Sequence, residues 1–234
     1  MKLLAELLAD DPSTPRVTYY DETTGARIDF SATTLENWVA KIAHFLHDEL
    51  DLTAGDTILL DLPASWQAAC IALGAYACNI TVAIAPTYNA SAVDDNAAAA
   101  DRNLEAAEVL FTSLGNNWTD FDGDIVIVSN DPFGRGVTEI GEQLPPATLD
   151  FGPTVRFYPD TYTATTPTLE QFADPTVSLH ARVLTTGWTN WEELTRAVLT
   201  PLARQGSIVI VHGLTSAERL KHIASIEKVT HHQS

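Results

Sequence analysis

His44 and His47 are the first residues whose type and spacing could do chemistry. Three apart on a helix, they could hold a metal. The only further ligands close in sequence are the ordinary acids Asp48 and Glu49. The pair therefore reads as a helix surface or boundary, and no metal is expected. The run Asn116-Asn117-Trp118-Thr119-Asp120-Phe121-Asp122-Gly123-Asp124 has the flavour of a calcium loop. With Gly123 at the sixth position of such a loop, Trp118 falls where the first acidic ligand belongs, which argues against calcium. Gly134-Arg135-Gly136 stands in no Gly-x-Gly-x-x-Gly or Gly-x-x-x-x-Gly-Lys frame and reads as a turn. No Gly-x-Ser-x-Gly elbow occurs, although distant Ser, His and Asp residues could still converge in space. There remain Thr185, Thr186, Gly187 and Trp188, at the C-terminal end of an apolar strand. Parallel α/β sheets place ligands at such ends, so these four are the candidate ligand-binding residues. A strand end passing into a helix N-cap is the competing reading. No catalytic set is complete, and no cofactor is expected.

The elements around these residues alternate. Met1 to Leu8 is apolar but interrupted by Glu6, which fits an amphipathic helix better than a signal peptide. Val17–Tyr20 and Ala26–Phe30 form a hairpin through Thr24-Gly25. Ser31 caps a helix over 32–50, in which Leu35, Trp38, Val39, Ile42, Ala43, Phe45 and Leu46 recur at helical spacing. Strands follow at Thr57–Leu60, Ile80–Ala85, Glu108–Thr112 and Ile125–Val128. Between them lie a helix opened by Pro63 and Ser65 and an alanine-rich helix opened by Ser91. Residues 129–167 carry six of the twelve prolines and must be largely loop and edge strand. The alternation resumes with a strand at Arg182–Thr185, a helix at Trp191–Ala203, a strand at Ser207–Val211 and a helix capped by Ser216. His231 and His232 fall in a tail expected to fray. Short, uncharged, β-branched strands between helices define an α/β fold with a mostly parallel sheet covered by helices on both faces. Residues 1–234 are read as a single domain.

Composition narrows the function classes. The chain of 234 residues has 31 acidic and 13 basic residues, a formal charge of −18. That field repels phosphate backbones and anionic membranes, so neither nucleic acid nor membrane is an expected partner. Solubility accounts for the acidity, and with only four lysines a salt-adapted proteome is the alternative. Cys70 and Cys78, eight apart on or beside one helix, would lie roughly 12 Å apart, beyond disulfide reach. Both read as buried thiols in a reducing compartment, with a cytoplasmic location. The uncharged run from Ala68 to Ala85 turns from helical to strand period at Ile80, Val82 and Ile84, so it reads as a helix entering a buried strand rather than a membrane span.

A resemblance emerges from the order of several short pieces. These are Val17-Thr18-Tyr19-Tyr20-Asp21, Phe30-Ser31, Leu52-Thr53-Ala54-Gly55-Asp56, Leu62-Pro63-Ala64-Ser65, Ala72-Leu73-Gly74, Ala85-Pro86-Thr87-Tyr88 and Glu108-Val109-Leu110-Phe111-Thr112-Ser113. Together, over residues 12–113, they resemble the N-terminal domain of the adenylate-forming enzymes, the acyl-CoA synthetase and AMP-binding superfamily. Residues 182–230 resemble a later piece of it, through Arg182-Val183-Leu184, Leu199-Thr200-Pro201-Leu202 and Gly206-Ser207-Ile208-Val209-Ile210-Val211. Residues 129–180 form a divergent connection. Asn79 stands where the family usually has Gly, and Asn also tolerates a left-handed backbone.

The resemblance implies an ATP phosphate loop, rich in Ser, Thr and Gly and ending in Pro-Lys, before the Arg182 strand. Here Phe172-Ala173-Asp174-Pro175-Thr176-Val177-Ser178-Leu179-His180 occupies that place, without glycine or lysine. The family's acyl-pocket His is likewise missing from Thr186-Gly187-Trp188-Thr189-Asn190, and the sequence stops before the adenine and ribose motifs. The expectation is a shortened, degenerate relative: a non-catalytic module binding a small molecule or a protein partner. The alternative is an enzyme with residual or repurposed acyl or nucleotide chemistry in the old cleft. The five tryptophans also fit a subunit that pairs with another chain, a homo-oligomer included.

Overall fold

The helical period that begins at Ser31 builds helix α2, Ala32–His44, continued by a π-helical turn over Phe45–Glu49. The Ser31 hydroxyl accepts the Thr34 amide and caps it. In the computed structural model, residues 1–85, 106–116, 118 and 121–233 are described. Helix α1, Ala5–Asp10, precedes α2. Helix α3, Trp66–Ala77, is capped by Ser65 through the Ala68 amide. It carries no charge, and every one of its residues except Tyr76 is buried. A helix apolar all round belongs inside a core.

α2 and α3 meet at Gly74. A Cβ placed there would lie 2.5 Å from Ile42 Cγ2 and 2.9 Å from Ile42 Cβ. The glycine is thus the contact that lets the two helices approach. Gly74→Ala is expected to lower stability by about 1–3 kcal/mol through overpacking. An unchanged urea midpoint for this variant would refute the close contact.

Among the described residues, the strands divide into two five-stranded sheets. The first has the order β10-β8-β9-β1-β2 and the second β4-β3-β5-β6-β7. β1 is Pro15–Asp21, β2 Ala26–Ser31, β3 Thr57–Asp61, β4 Thr81–Ile84, β5 Val109–Ser113, β6 Asp124–Val128 and β7 Leu149–Asp150. β8 is Arg182–Thr185, β9 Ser207–His212 and β10 His231–Gln233. Among the described residues, only the β1–β2 hairpin is antiparallel. Its turn passes through Gly25 at φ +76°, a left-handed position that favours glycine.

One large core joins the sheets. It takes Val17, Tyr19, Ile208 and Ile210 from the first, and Ile58, Leu60, Val109, Phe111 and Val126 from the second. The buried residues of α2 and α3 belong to the same core, between the two sheets. The opposite face of the first sheet packs Tyr20, Leu184, Val209 and Val211 against Ile223 of helix α6, Ala217–Ile226. The opposite face of the second sheet packs Leu59, Ala83 and Leu110 with Trp118 and Phe121. Burial on both faces explains the strands' unbroken apolar runs.

The α/β class with mostly parallel sheets is as the sequence suggests, with the strands shared between two sheets. Three local expectations change. Within the proline-rich segment, Phe151–Arg156 forms helix α4, burying Phe151 and Val155. Pro153 is tolerated there because first-turn amides need no intrahelical partner. The histidine tail is strand β10, hydrogen-bonded in parallel to Val183–Thr185. Such pairing uses backbone groups alone and leaves no apolar pattern to read. The helix of Trp191–Ala203 contains a π-helical turn, Thr195–Leu199, between Trp191–Leu194 and Thr200–Ala203; together these are α5. The helix expected from Ser91 lies outside the described residues, as does part of the calcium-like run. Asn79 has φ +58°, the left-handed backbone expected of it. Cys70 and Cys78 are buried and free, and burial pushes both thiols up. Among the described residues, no helix is long and apolar enough to cross a membrane.

Candidate functional site

The C-terminal ends of β3, β6 and β9 converge on one rim between the sheets. A narrow cleft there is lined by Tyr19, Leu62, Pro63, Ser65, Gln67, Val128, Ser129, Asn130 and His212. It measures about 260 Å³, open solvent included. The cleft is small. Two roomier grooves lie elsewhere, one beside α1 and one along edge strand β4 next to Asn190, Trp191 and Glu192.

The four candidate residues at the end of β8 part company. Thr185 is fully buried, and its hydroxyl donates to the Gly187 carbonyl at 2.9 Å while accepting the Gly187 amide at 3.2 Å. Trp188 is buried in the main core. Thr186 and Gly187 face solvent, with Gly187 passing close to Ala64 of the β3–α3 connection. The next residues form a reciprocal cap. The Asn190 side chain accepts the Glu193 amide at 2.9 Å, and Glu193 accepts the Thr189 amide at 2.7 Å and its hydroxyl at 2.8 Å.

Other polar groups on the rim were not signalled by any motif. Asp61 closes β3 and is buried. Its Oδ2 accepts Thr112 Oγ1 at 2.9 Å, Asn116 Nδ2 at 2.6 Å and Trp118 Nε1 at 2.8 Å. The residues that gave 116–124 its calcium-loop composition thus include donors to a carboxylate, and among the described residues no metal-binding cluster occurs. Gln67 Nε2 donates to the carbonyls of Ser129 and Asp131. Burial works against the charge on Asp131, yet the Arg135 guanidinium and two backbone amides hold its carboxyl below the usual range. The Gly134-Arg135-Gly136 turn is thereby fixed on Asp131, and Gly134 adopts φ +71°. In sequence, the one available signal for Asp61 was an acid terminating an apolar strand.

The metal-like pair separates as well. His44 bonds Asp48 and the Thr161 carbonyl, while His47 points to solvent.

This architecture defines an α/β protein of acyl-CoA synthetase fold. An acyl-CoA synthetase from Brucella canis superposes with a TM-score of 0.77 over 99% of this chain, at 15% identity. Acetoacetyl-CoA synthetase from Streptomyces lividans does so with a TM-score of 0.67 over 98%, also at 15% identity. The chain spans 47% and 42% of those two proteins, less than half of each. No protein-family model matches it. A Mycobacterium tuberculosis H37Rv protein described as a TIGR03089 family protein is 32% identical, covering 97% of this chain and 95% of the relative. The chain belongs to the TIGR03089 family.

Proposed function

We propose that this chain is a non-catalytic binding module on the acyl-CoA synthetase fold, taking a small molecule or a protein partner. The observation that carries this reading is the state of the strand ends. The Thr185 hydroxyl closes on Gly187, the Asp61 carboxylate accepts from Thr112, Asn116 and Trp118, and Gln67 ties the β6 connection. These polar groups at the strand ends face one another.

The purified chain is expected to give no ATP–pyrophosphate exchange with any carboxylic acid. Exchange above the no-enzyme background would overturn the proposal. Melting scans against nucleotides and acyl-CoAs, with sizing in solution, separate a small-molecule ligand from a protein partner or a second copy of the chain. A ligand at 100 times its Kd stabilises by about 2.7 kcal/mol.

Repurposed chemistry in the old cleft is the second reading. It is favoured by His212, a titratable group lining the cleft near Ser65 and Ser129. The same melting scans, repeated on His212→Ala, test it: a ligand shift lost in the variant would support this reading.

A further inference from the structure

Residues 157–169 run from α4 across the outer ends of α2 and α3 towards α1, and hold on by a few anchors. Tyr162 is buried, with its hydroxyl 3.6 Å from Cys78 Sγ. Thr166 Oγ1 accepts the Lys2 and Leu3 amides. At the α2 end, His44 holds Thr161, beside Lys41 and Glu49, which hold residues 158 and 160.

The geometry at His44 is specific about protonation. Nδ1 lies 2.7 Å from Asp48 Oδ2, and Nε2 lies 3.0 Å from the Thr161 carbonyl oxygen. A carboxylate and a backbone carbonyl can only accept. A neutral imidazole has one N–H and satisfies one of them; the imidazolium has two and satisfies both. The ring is stacked on Tyr158, centroids 6.3 Å apart, and meets Tyr162 edge-on at 5.0 Å.

The other charged and titratable groups nearby are already engaged. Lys41, one turn earlier on α2, pairs with Asp160 at 2.8 Å and donates to the Tyr158 carbonyl. Glu49 accepts the Tyr158 hydroxyl at 2.6 Å. From α3, the Cys78 thiol bonds the Ala43 carbonyl and the Tyr162 hydroxyl.

We propose that His44 is a proton-operated catch: its imidazolium bridges Asp48 and Thr161, fastening the strap to α2 at Thr161, and loss of one proton releases the strap at that point, while Lys41 and Glu49 keep their hold on residues 158 and 160. Histidine as a residue type changes charge between about pH 5 and 8, which sets the two pH values of the test. Release at Thr161 loosens Tyr162, the cover over Cys78. The inference is independent of the ligand reading above.

The test is amide hydrogen exchange on the full chain at pH 5.5 and pH 8, corrected for the intrinsic chemical rate. Protection of residues 161–163 is expected to fall about tenfold at the higher pH, the worth of one charge-assisted hydrogen bond. In parallel, the His44 ring protons are followed by NMR, and their titration midpoint must match that of strap protection. In His44→Gln, which cannot donate to both acceptors, protection is expected to be low and independent of pH. Labelling of Cys78 by a thiol reagent, compared between wild type and variant at the same pH, is expected to be faster in the variant below pH 6 and equal above pH 8. Protection that is the same at both pH values, midpoints that disagree, or a variant that keeps the wild-type response would each overturn the proposal. If His44→Gln does not fold, the coincidence of midpoints in the wild type decides alone.

Discussion

Trp66→Ala is expected to destabilise the protein by about 3–5 kcal/mol, the range for removing a large aromatic side chain from a core. Trp66 opens α3 and is 1% exposed. Its ring meets Phe30 of β2 at 4.7 Å and Trp38 of α2 at 4.8 Å. Its Nε1 donates to the Pro132 carbonyl at 2.9 Å, and Gly134 lies flat against the ring, where a Cβ would come within 2.9 Å. One side chain thus joins the first sheet, a central helix and the connection after β6. Truncation leaves a cavity and a buried carbonyl without its donor, and the two costs add. Trp66→Phe keeps most of the volume and loses the N–H, so a cost nearer 1–2 kcal/mol is expected. Urea denaturation of both variants checks this. A loss below 1 kcal/mol for the alanine variant would show that the junction is held by something else.

Acid should attack the opposite face of the first sheet, through Glu227. Its carboxylate is buried beneath α6. It accepts Arg182 Nη2 at 2.5 Å, the Tyr20 hydroxyl at 2.6 Å and Arg27 Nε at 2.9 Å. Burial alone would raise its pKa. The bonds from Arg27, Tyr20 and Arg182 outweigh burial and hold it at about 2, against an ordinary 4.5. The folded pKa is the lower one, so the stabilisation is fully present above about pH 4.5 and is lost as the pH falls towards 2. Its size is about 3 kcal/mol. Glu227→Gln is expected to be less stable at pH 7 and to lose this part of the acid slope. Denaturation midpoints from pH 2 to 7 for both proteins measure it. Parallel curves would assign the acid sensitivity to other carboxylates.

What the sequence disclosed was what depends on neighbours along the chain. Ser31, Ser65 and Ser216 each accept an amide three residues on, so their helices begin where a short polar residue precedes an apolar period. The strand Arg182–Thr185 has the bounds read from its apolar run. The family resemblance carried the fold further than periodicity could, because it rests on the order of many weak pieces. What stayed hidden depends on partners far away in sequence. Strand β10 exists because β8 offers a free edge. The division into two sheets follows from which strands pair edge to edge, not from any strand's composition. Asp61 looked like a strand end, since its donors come from residues 112–118. Trp188 and Thr185 looked like rim residues, and only the packed fold shows one facing the core and the other facing Gly187.

The strand order β10-β8-β9-β1-β2 has a consequence for synthesis. The hairpin of β1 and β2 leaves the ribosome long before its partner β9, Ser207–His212. At roughly 5–20 residues per second, β1 waits on the order of ten seconds or longer with one edge unpaired. That edge belongs to a strand in which every residue after Pro15 is buried once folded. During translation it is an open template for pairing with other nascent chains. The protein's yield in a cell should therefore depend on chaperone capacity more steeply than the stability of the finished fold would suggest.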